Sequence, residues 1–247
     1  MILGSRGPKL AVIGDIHLRP DDPEHPLGRV LEHIAAEGVA GVLLVGDLAS
    51  GPLRRSTQHN PTVLAGYRAR VQAALGRVSA LGVPVLWVPG NHDLPDIGRG
   101  AEAETLPGNV DGAVVELAGL RIAGIGGAGP DRFGFCYEWD EDSVRRRVVP
   151  DCDVLLCHAP PRDTPLDRTR YGEHVGSQAL RERALAHTGV MVCGHIHESP
   201  GVIRLGDCTV VNAGGLGEPF GKARVAYLDG LQQAVVIDLE SGEERWG

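Results

Sequence analysis

Five polar clusters in this chain carry side chains able to hold cations: Gly14-Asp15-Ile16-His17, Gly46-Asp47, Gly90-Asn91-His92-Asp93, Cys157-His158 and Gly194-His195-Ile196-His197. Each follows a short run of Val, Leu or Ile, at the carboxyl end of a predicted strand, where open α/β sheets place their ligand sites. In Asp15-x-His17 and His195-x-His197, alternate residues of an extended segment point to one side, so both members of each pair can reach one point. Imidazoles, carboxylates and an amide oxygen suit Mn²⁺, Fe or Zn²⁺, and the lack of cysteine ligands argues against a closed structural zinc site. Each cluster alone has a plainer explanation. Gly46-Asp47 reads as a strand-ending turn, Asn91 as a turn residue after Pro89-Gly90, and His158 before Ala-Pro-Pro as a capped strand end. None of these accounts for all five positions together.

The elements that must position these clusters are short. Runs rich in β-branched and other apolar residues predict strands at Lys9–Ile13, Val39–Val45, Val83–Val88, Ala113–Leu117, Leu120–Ile125, Asp153–Cys157, Val190–Cys193, Val202–Leu205, Thr209–Val211, Ala223–Leu228 and Ala234–Leu239. Spacings of three and four predict a helix on Leu27, Val30, Leu31 and Ile34, and another on Leu64, Tyr67, Val71, Leu75 and Val78 opened by Asn60-Pro61. A third runs from Ser177 as N-cap through Leu180, Ala184 and Leu185 to near Gly189. Strands and helices alternate in the first half, and short strands dominate the last third. The pattern implies an α/β fold, a sheet covered by helices. The Gly-rich run Gly124–Gly129 reads as a loop, without the helix and acidic residue that a nucleotide fingerprint requires.

At 247 residues, with 43% hydrophobic and 23% charged residues, the chain reads as one globular domain spanning 1–247. A net charge of −8 argues against tracking long nucleic acid, which needs a basic face, and leaves a small anionic substrate as the expected partner. No apolar run is long enough for a membrane span, and the first residues lack a signal-peptide core, so a cytoplasmic location is expected. Five cysteines without a CxxC pair, mostly inside Val/Leu-rich runs, read as buried reduced thiols. His25, His33, His59, His174 and His187 lie outside the clusters and read as ordinary surface or loop histidines.

In their order, the five clusters resemble the signature of the calcineurin-like metallophosphoesterases over about Leu10 to Gly215. That resemblance implies two packed β-sheets flanked by helices and a dinuclear centre: Asp15, His17 and His197 on one metal, Asn91, His158 and His195 on the other, and Asp47 bridging them. Two divalent ions, Mn²⁺ first with Fe or Zn²⁺ as alternatives, would ready a shared water for in-line attack. His92 resembles the family's acid that protonates the leaving oxygen, with Asp93 as a candidate to orient it. Where protein phosphatases of the superfamily carry GDxxDRG, this chain has Gly46-Asp47-Leu48-Ala49-Ser50-Gly51, so the usual partner of the acid histidine is missing and protein substrates are disfavoured.

A narrower branch with HGPP and GHIHE, which includes cyclic-nucleotide phosphodiesterases, resembles Cys157-His158-Ala159-Pro160-Pro161 followed by Asp167, Gly176-Ser177 and Gly194-His195-Ile196-His197-Glu198, with Ala159 in place of the branch's Gly. The expected substrate is therefore a small phosphodiester, cyclic nucleotides first. The alternatives are a phosphomonoesterase, a nuclease for short ends, or a non-catalytic scaffold. Asp93–Pro107 and Ala159–Gly176 are expected to border the substrate space. Arg162, Arg168 and Arg170 could clamp phosphate, stack on a base, or solvate a loop, the last being the plainest reading.

Overall fold

The computed structural model describes residues 7–20, 22, 24–217 and 219–247. Two six-stranded mixed sheets pack face to face with helices outside them. In the first, β1 (Lys9–Ile13), β2 (Gly41–Leu44) and β3 (Val85–Trp87) run parallel, and the C-terminal strands β10 (Arg224–Asp229), β11 (Gln233–Asp238) and β12 (Glu244–Trp246) add antiparallel beside β1. In the second, β5 (Leu120–Ile125), β6 (Val154–Cys157), β7 (Val190–Cys193) and β9 (Cys208–Asn212) run parallel between two antiparallel edges, β4 (Val114–Leu117) and β8 (Gly201–Leu205).

The layering follows from strand alternation. Leu10 and Val12 of β1 join Leu43 of β2 in the core between the sheets, where they meet Ile122, Leu156, Val192 and Val211. Their alternates Ala11, Ile13, Val42 and Leu44 face outward, where α1 (Leu27–Glu37) and α2 (Pro61–Ser79) cover them with Val30, Ile34, Val71 and Val78. On the far side, Leu155, Cys157, Met191 and Cys193 pack against Leu180 and Ala184 of α4 (Gln178–Ala186). Strands buried on both faces read as unbroken apolar runs, and for the same reason their ends show sharply in the sequence. Burying each such Val or Leu contributes about 1.5–3 kcal/mol.

The helix starts form as their residues dictate. Asn60 accepts hydrogen bonds from Thr62 and Val63 N–H at 3.0 and 3.2 Å with Pro61 in the first turn, and Ser177 caps Leu180 N–H at 3.1 Å. Some expectations are corrected. Val39, Ala40, Val83 and Val88 fall outside the strands, Gly124 and Ile125 belong to β5 rather than to a loop, and Leu185 is 53% exposed. The short helix α3 (Glu141–Arg145) and the edge strand β12 carry too few apolar residues to announce themselves. Among the described residues no helix is long and apolar enough to cross a membrane. All five cysteines are free, three of them buried and Cys136 and Cys152 half-buried.

Candidate metal centre

The parallel strands end level, with Ile13 opposite Leu44 and Leu44 opposite Trp87, and the polar clusters begin where the ladders stop. Pairing continues one step further. His17 N–H donates to the Asp47 carbonyl at 2.7 Å and Leu18 N–H to the Leu48 carbonyl at 3.1 Å, so the first two clusters lie side by side. Across the sandwich, Gly194 N–H donates to the His158 carbonyl at 3.0 Å. Asp15, His17, Asp47 and His195 all have positive φ, 28, 46, 50 and 67°. Residues with side chains hold such angles only where surrounding structure imposes them, and such positions gather at functional sites.

The glycines that precede these residues are set by close approach. A Cβ on Gly90 would stand 2.1 Å from Asp47 Oδ1, and one on Gly194 would stand 2.2 Å from Asp15 Oδ2. The same two carboxylate oxygens are tied down by backbone: Asp47 Oδ1 accepts from His92 N–H and Asp15 Oδ2 from His195 N–H, both at 2.9 Å. Each carboxylate thus has one oxygen pinned and turns the other toward imidazoles. Asp47 Oδ2 lies 3.5 Å from both His17 Nε2 and His158 Nε2, and Asp15 Oδ1 lies 3.5 Å from His197 Nε2.

Three groups of donor atoms converge: Asp15 with His17 and His197; His17 with Asp47 and His92; Asp47 with His158 and His195. Asp47 and His17 are shared between groups. Asn91 joins the third, its Oδ1 being 2.8 Å from His158 Nε2. With His158 Nδ1–H donated to the Val45 carbonyl at 2.7 Å, Nε2 and Asn91 Oδ1 turn two lone pairs on each other, an arrangement that a cation between them satisfies. His197 Nδ1–H is likewise held by the Pro219 carbonyl at 2.7 Å, which leaves Nε2 for the site. Buried Asp15 Oδ1 and His17 Nδ1 have no hydrogen-bond partner, as expected of groups arranged for cations rather than for each other. The residues therefore fit two divalent ions.

The electrostatics agree. Burial opposes ionisation of Asp15 and Asp47, but His197 and His158 beside the first, and His158, His92 and His17 beside the second, hold both carboxyls below their ordinary range. Burial pushes His17 down to about 4 and His195 to about 3, keeping both rings in the neutral form a metal needs. His197 alone rises, to about 9, because the Asp15 charge outweighs its burial.

His92 sits at the edge of the cluster, its Nε2 3.9 Å from Asp47 Oδ2. Asp93 does not orient it. That carboxylate accepts from Gly90 N–H at 2.8 Å, Leu48 N–H at 3.3 Å and Tyr67 Oη at 3.0 Å, and so pins the loop between β3 and His92. Burial and the neighbouring Asp47 raise its pKa to about 6. The His92 ring instead lies on Phe135, centroids 4.0 Å apart, with the His17 ring at 5.0 Å across its edge and Arg54 over the Phe135 ring. Phe135 was not among the expected residues. The only hint is Phe133-Gly134-Phe135 in a Gly-rich stretch without strand alternation.

Above the cluster is a hollow of about 330 Å³ lined by Ser50, Phe133, Phe135, Glu138, Glu198 and Phe220 as well as the histidines. Beside it lies a larger one of about 1060 Å³ that shares Gly129, Phe133 and His195 with the first. The stretch Ala159–Gly176 borders the larger hollow through Ala159, Arg162 and His174. Asp93–Pro107 borders neither, because Leu94, Ile97 and Leu106 turn inward beneath α2. Asp167 and Gly176 brace the intervening loop. Asp167 accepts from Thr164 and Gly176 N–H and from His174 Nδ1 at 2.6 Å. His25 is likewise buried rather than superficial, bonded to the Ile16 carbonyl at 2.7 Å.

The model of the calcineurin-like phosphoesterases matches residues 8–199. The chain belongs to that family. An uncharacterized protein of Methanocaldococcus jannaschii is 30% identical over 168 residues, 64% of this chain and 73% of that one. One crystal structure, 20% identical, superposes with a TM-score of 0.69 over 97% of this chain and 98% of that one. A dimetal phosphatase from Danio rerio, 12% identical, gives 0.62 over 98% of each. Within this calcineurin-like phosphoesterase the two structural likenesses establish the layered fold, and the buried His/Asp cluster lies where its strands end.

Proposed function

We propose that this phosphoesterase hydrolyses small phosphodiesters, cyclic nucleotides first among them, with Mn²⁺ as its preferred ion. Asp15, His17 and His197 would hold one ion, Asn91, His158 and His195 the other, and Asp47 both. When bound, the pair would acidify a water and draw charge from the phosphoryl oxygens. His92 would hand a proton to the departing alkoxide, a role supported by its position at the edge of the cluster and by the Phe135 ring packed on it.

The charge of the hollow carries the choice of diester over monoester. Its described lining includes the carboxylate of Glu198 and no lysine or arginine, the Glu138 carboxylate being taken up by the Phe133 and Gly134 N–H groups. A monoester dianion would meet that lining less favourably than a diester monoanion. The run Cys157-His158-Ala159-Pro160-Pro161 and its partner Gly194-His195-Ile196-His197-Glu198 supports the cyclic-nucleotide assignment by resemblance. Five free cysteines suit a reducing compartment such as the cytoplasm.

The test compares kcat/KM for a bis-nitrophenyl diester and its monoester under one Mn²⁺ condition, then for 2′,3′- and 3′,5′-cyclic nucleotides. Diesters should be turned over faster. Preference for monoesters in both comparisons would overturn the diesterase reading and promote the phosphatase. Metal-loaded protein that turns over neither would be a binding scaffold.

A further inference from the structure

The chain contains three phenylalanines, and all three line the hollow above the metal cluster. Phe135 is accounted for by His92. Phe133 and Phe220 are 59% and 41% exposed, on segments far apart in sequence. Single exposed apolar residues are common and need no explanation. These two are held outward by specific structure.

Glu138, with its side chain only 2% exposed, spends its carboxylate on the turn beneath Phe133. It accepts from Phe133 N–H at 3.1 Å and Gly134 N–H at 2.9 Å. Phe220 has φ of 65°, a conformation that bulky residues avoid, and the preceding Pro219 carbonyl is bonded to His197 Nδ1. Each ring is backed by a guanidinium, Arg132 at 4.9 Å from the Phe133 centroid and Arg170 at 5.1 Å from that of Phe220. The backbone N–H of Arg170 donates to Glu198 Oε1 at 2.9 Å, which ties its loop to the rim. Two partly exposed rings that line one hollow offer π-faces and edges to a flat partner.

We infer that Phe133 and Phe220 are specificity residues that receive a planar aromatic ring carried by the phosphate ester, whether a nucleobase or an aryl group. The inference rests on the phosphoesterase reading. Aromatic stacking tolerates any ring with a π-face, so it selects ring-bearing esters over alkyl ones without choosing among bases.

Calorimetric titration of the Mn²⁺-loaded full chain with methylphosphonate, phenylphosphonate and the non-hydrolysable 5′-methylenephosphonate of adenosine tests this without turnover. The ring-bearing ligands should bind at least about five-fold tighter than methylphosphonate, the low end for stacking of a base on an aromatic side chain. Phe133→Ala and Phe220→Ala should erode that advantage and leave methylphosphonate affinity unchanged, and Phe133→Tyr should keep it. An advantage for phenylphosphonate alone identifies an aryl ester, and one for the adenosine analogue identifies a nucleobase. Equal affinity for all three ligands, or an alanine variant that weakens all three alike, would overturn the inference while the phosphoesterase reading stands. Retained metal with no phosphonate bound would overturn that reading, and this inference with it.

Discussion

On the floor of the cleft, Asp15, His17, Asp47 and His158 are at most 4% exposed and sit within four residues of a strand end. On its rim, Phe133 and Phe220 are 59% and 41% exposed and sit on loops. The floor is fixed by backbone. Two ladders end side by side, two carboxylates are pinned by N–H groups, and positive φ aims the side chains. The rim adds side-chain supports to its loops, a guanidinium over each phenyl ring and the Glu138 carboxylate on the N–H groups of the Phe133 turn. The difference separates chemistry from selection. A change to the floor should abolish reaction on every substrate, whereas a change to the rim should alter which substrates react.

The largest effect should follow Asp47→Ala. With Asp47 bridging the ions as proposed, both sites would lose a ligand together, so the fall in kcat/KM should exceed the ~10²–10⁴-fold that one general acid supplies, and elemental analysis should find both ions depleted. Near-complete metal content with activity retained would break the two-ion floor. Next is His92→Ala, expected to keep its metals yet lose roughly 10²-fold or more on alkyl esters and far less on nitrophenyl esters, whose leaving groups need little protonation. Phe135→Leu should show the same leaving-group pattern at smaller amplitude, below about ten-fold, since an aromatic pair is worth ~0.5–1.5 kcal/mol. If Phe135→Leu were insensitive to the leaving group, the contact between rim and floor would be packing alone.

The floor was legible in the sequence because its physics is local. A doubly buried strand reads as a solid apolar run, so the run itself marks the residue that follows Ile13, Val45 or Cys193 as a strand-end position. The rim was not, because a loop has no period. Phe133 and Phe220 lie far in sequence from His92 and His197 and meet them in the folded chain, around one hollow and through the Pro219 carbonyl on His197. Asp93 departs from its expected role for a related reason. Its neighbour in sequence is His92, but besides Gly90 its hydrogen bonds go to Leu48, which the pairing of β2 with β3 brings near, and to Tyr67, which the packing of α2 on the first sheet brings near. Strand β12 eluded reading because an exposed edge lacks the apolar alternation that marks the others.

Two glycines sharpen the contrast on the stability scale. Gly90→Ala forces a methyl group against Asp47 and should cost about 1–3 kcal/mol along with activity. Gly76→Ala, in the last turn of α2 with open space around it, should gain up to about 1 kcal/mol and leave kinetics untouched. Thermal melts of the two variants read both.

The smallest effect lies far from the cleft. Burial opposes ionisation of Asp238, but the Ser241 and Glu240 N–H groups and Arg224 outweigh it, so its carboxyl titrates below the usual 3.8. A folded-state pKa below the unfolded one stabilises above about 3.8 and loses that contribution as pH falls through the folded value. Asp238→Asn should therefore flatten the acid limb of the melting curve. An unchanged limb would assign acid sensitivity to the floor carboxylates instead.

The hydrogen bond from His17 N–H to the Asp47 carbonyl gives the chain an uneven tolerance for lengthening. Asp15 and His17 are aimed by backbone turns of positive φ just past β1, so one residue added between Ile13 and Asp15 would move both side chains off the positions that those turns set and dismantle the centre while leaving both sheets intact. The same addition in the loop that joins α3 to β6 would move no donor atom. Descendants of this chain could therefore grow outward through such loops and around the rim, acquiring new substrates, while the spans between strand end and ligand keep their length.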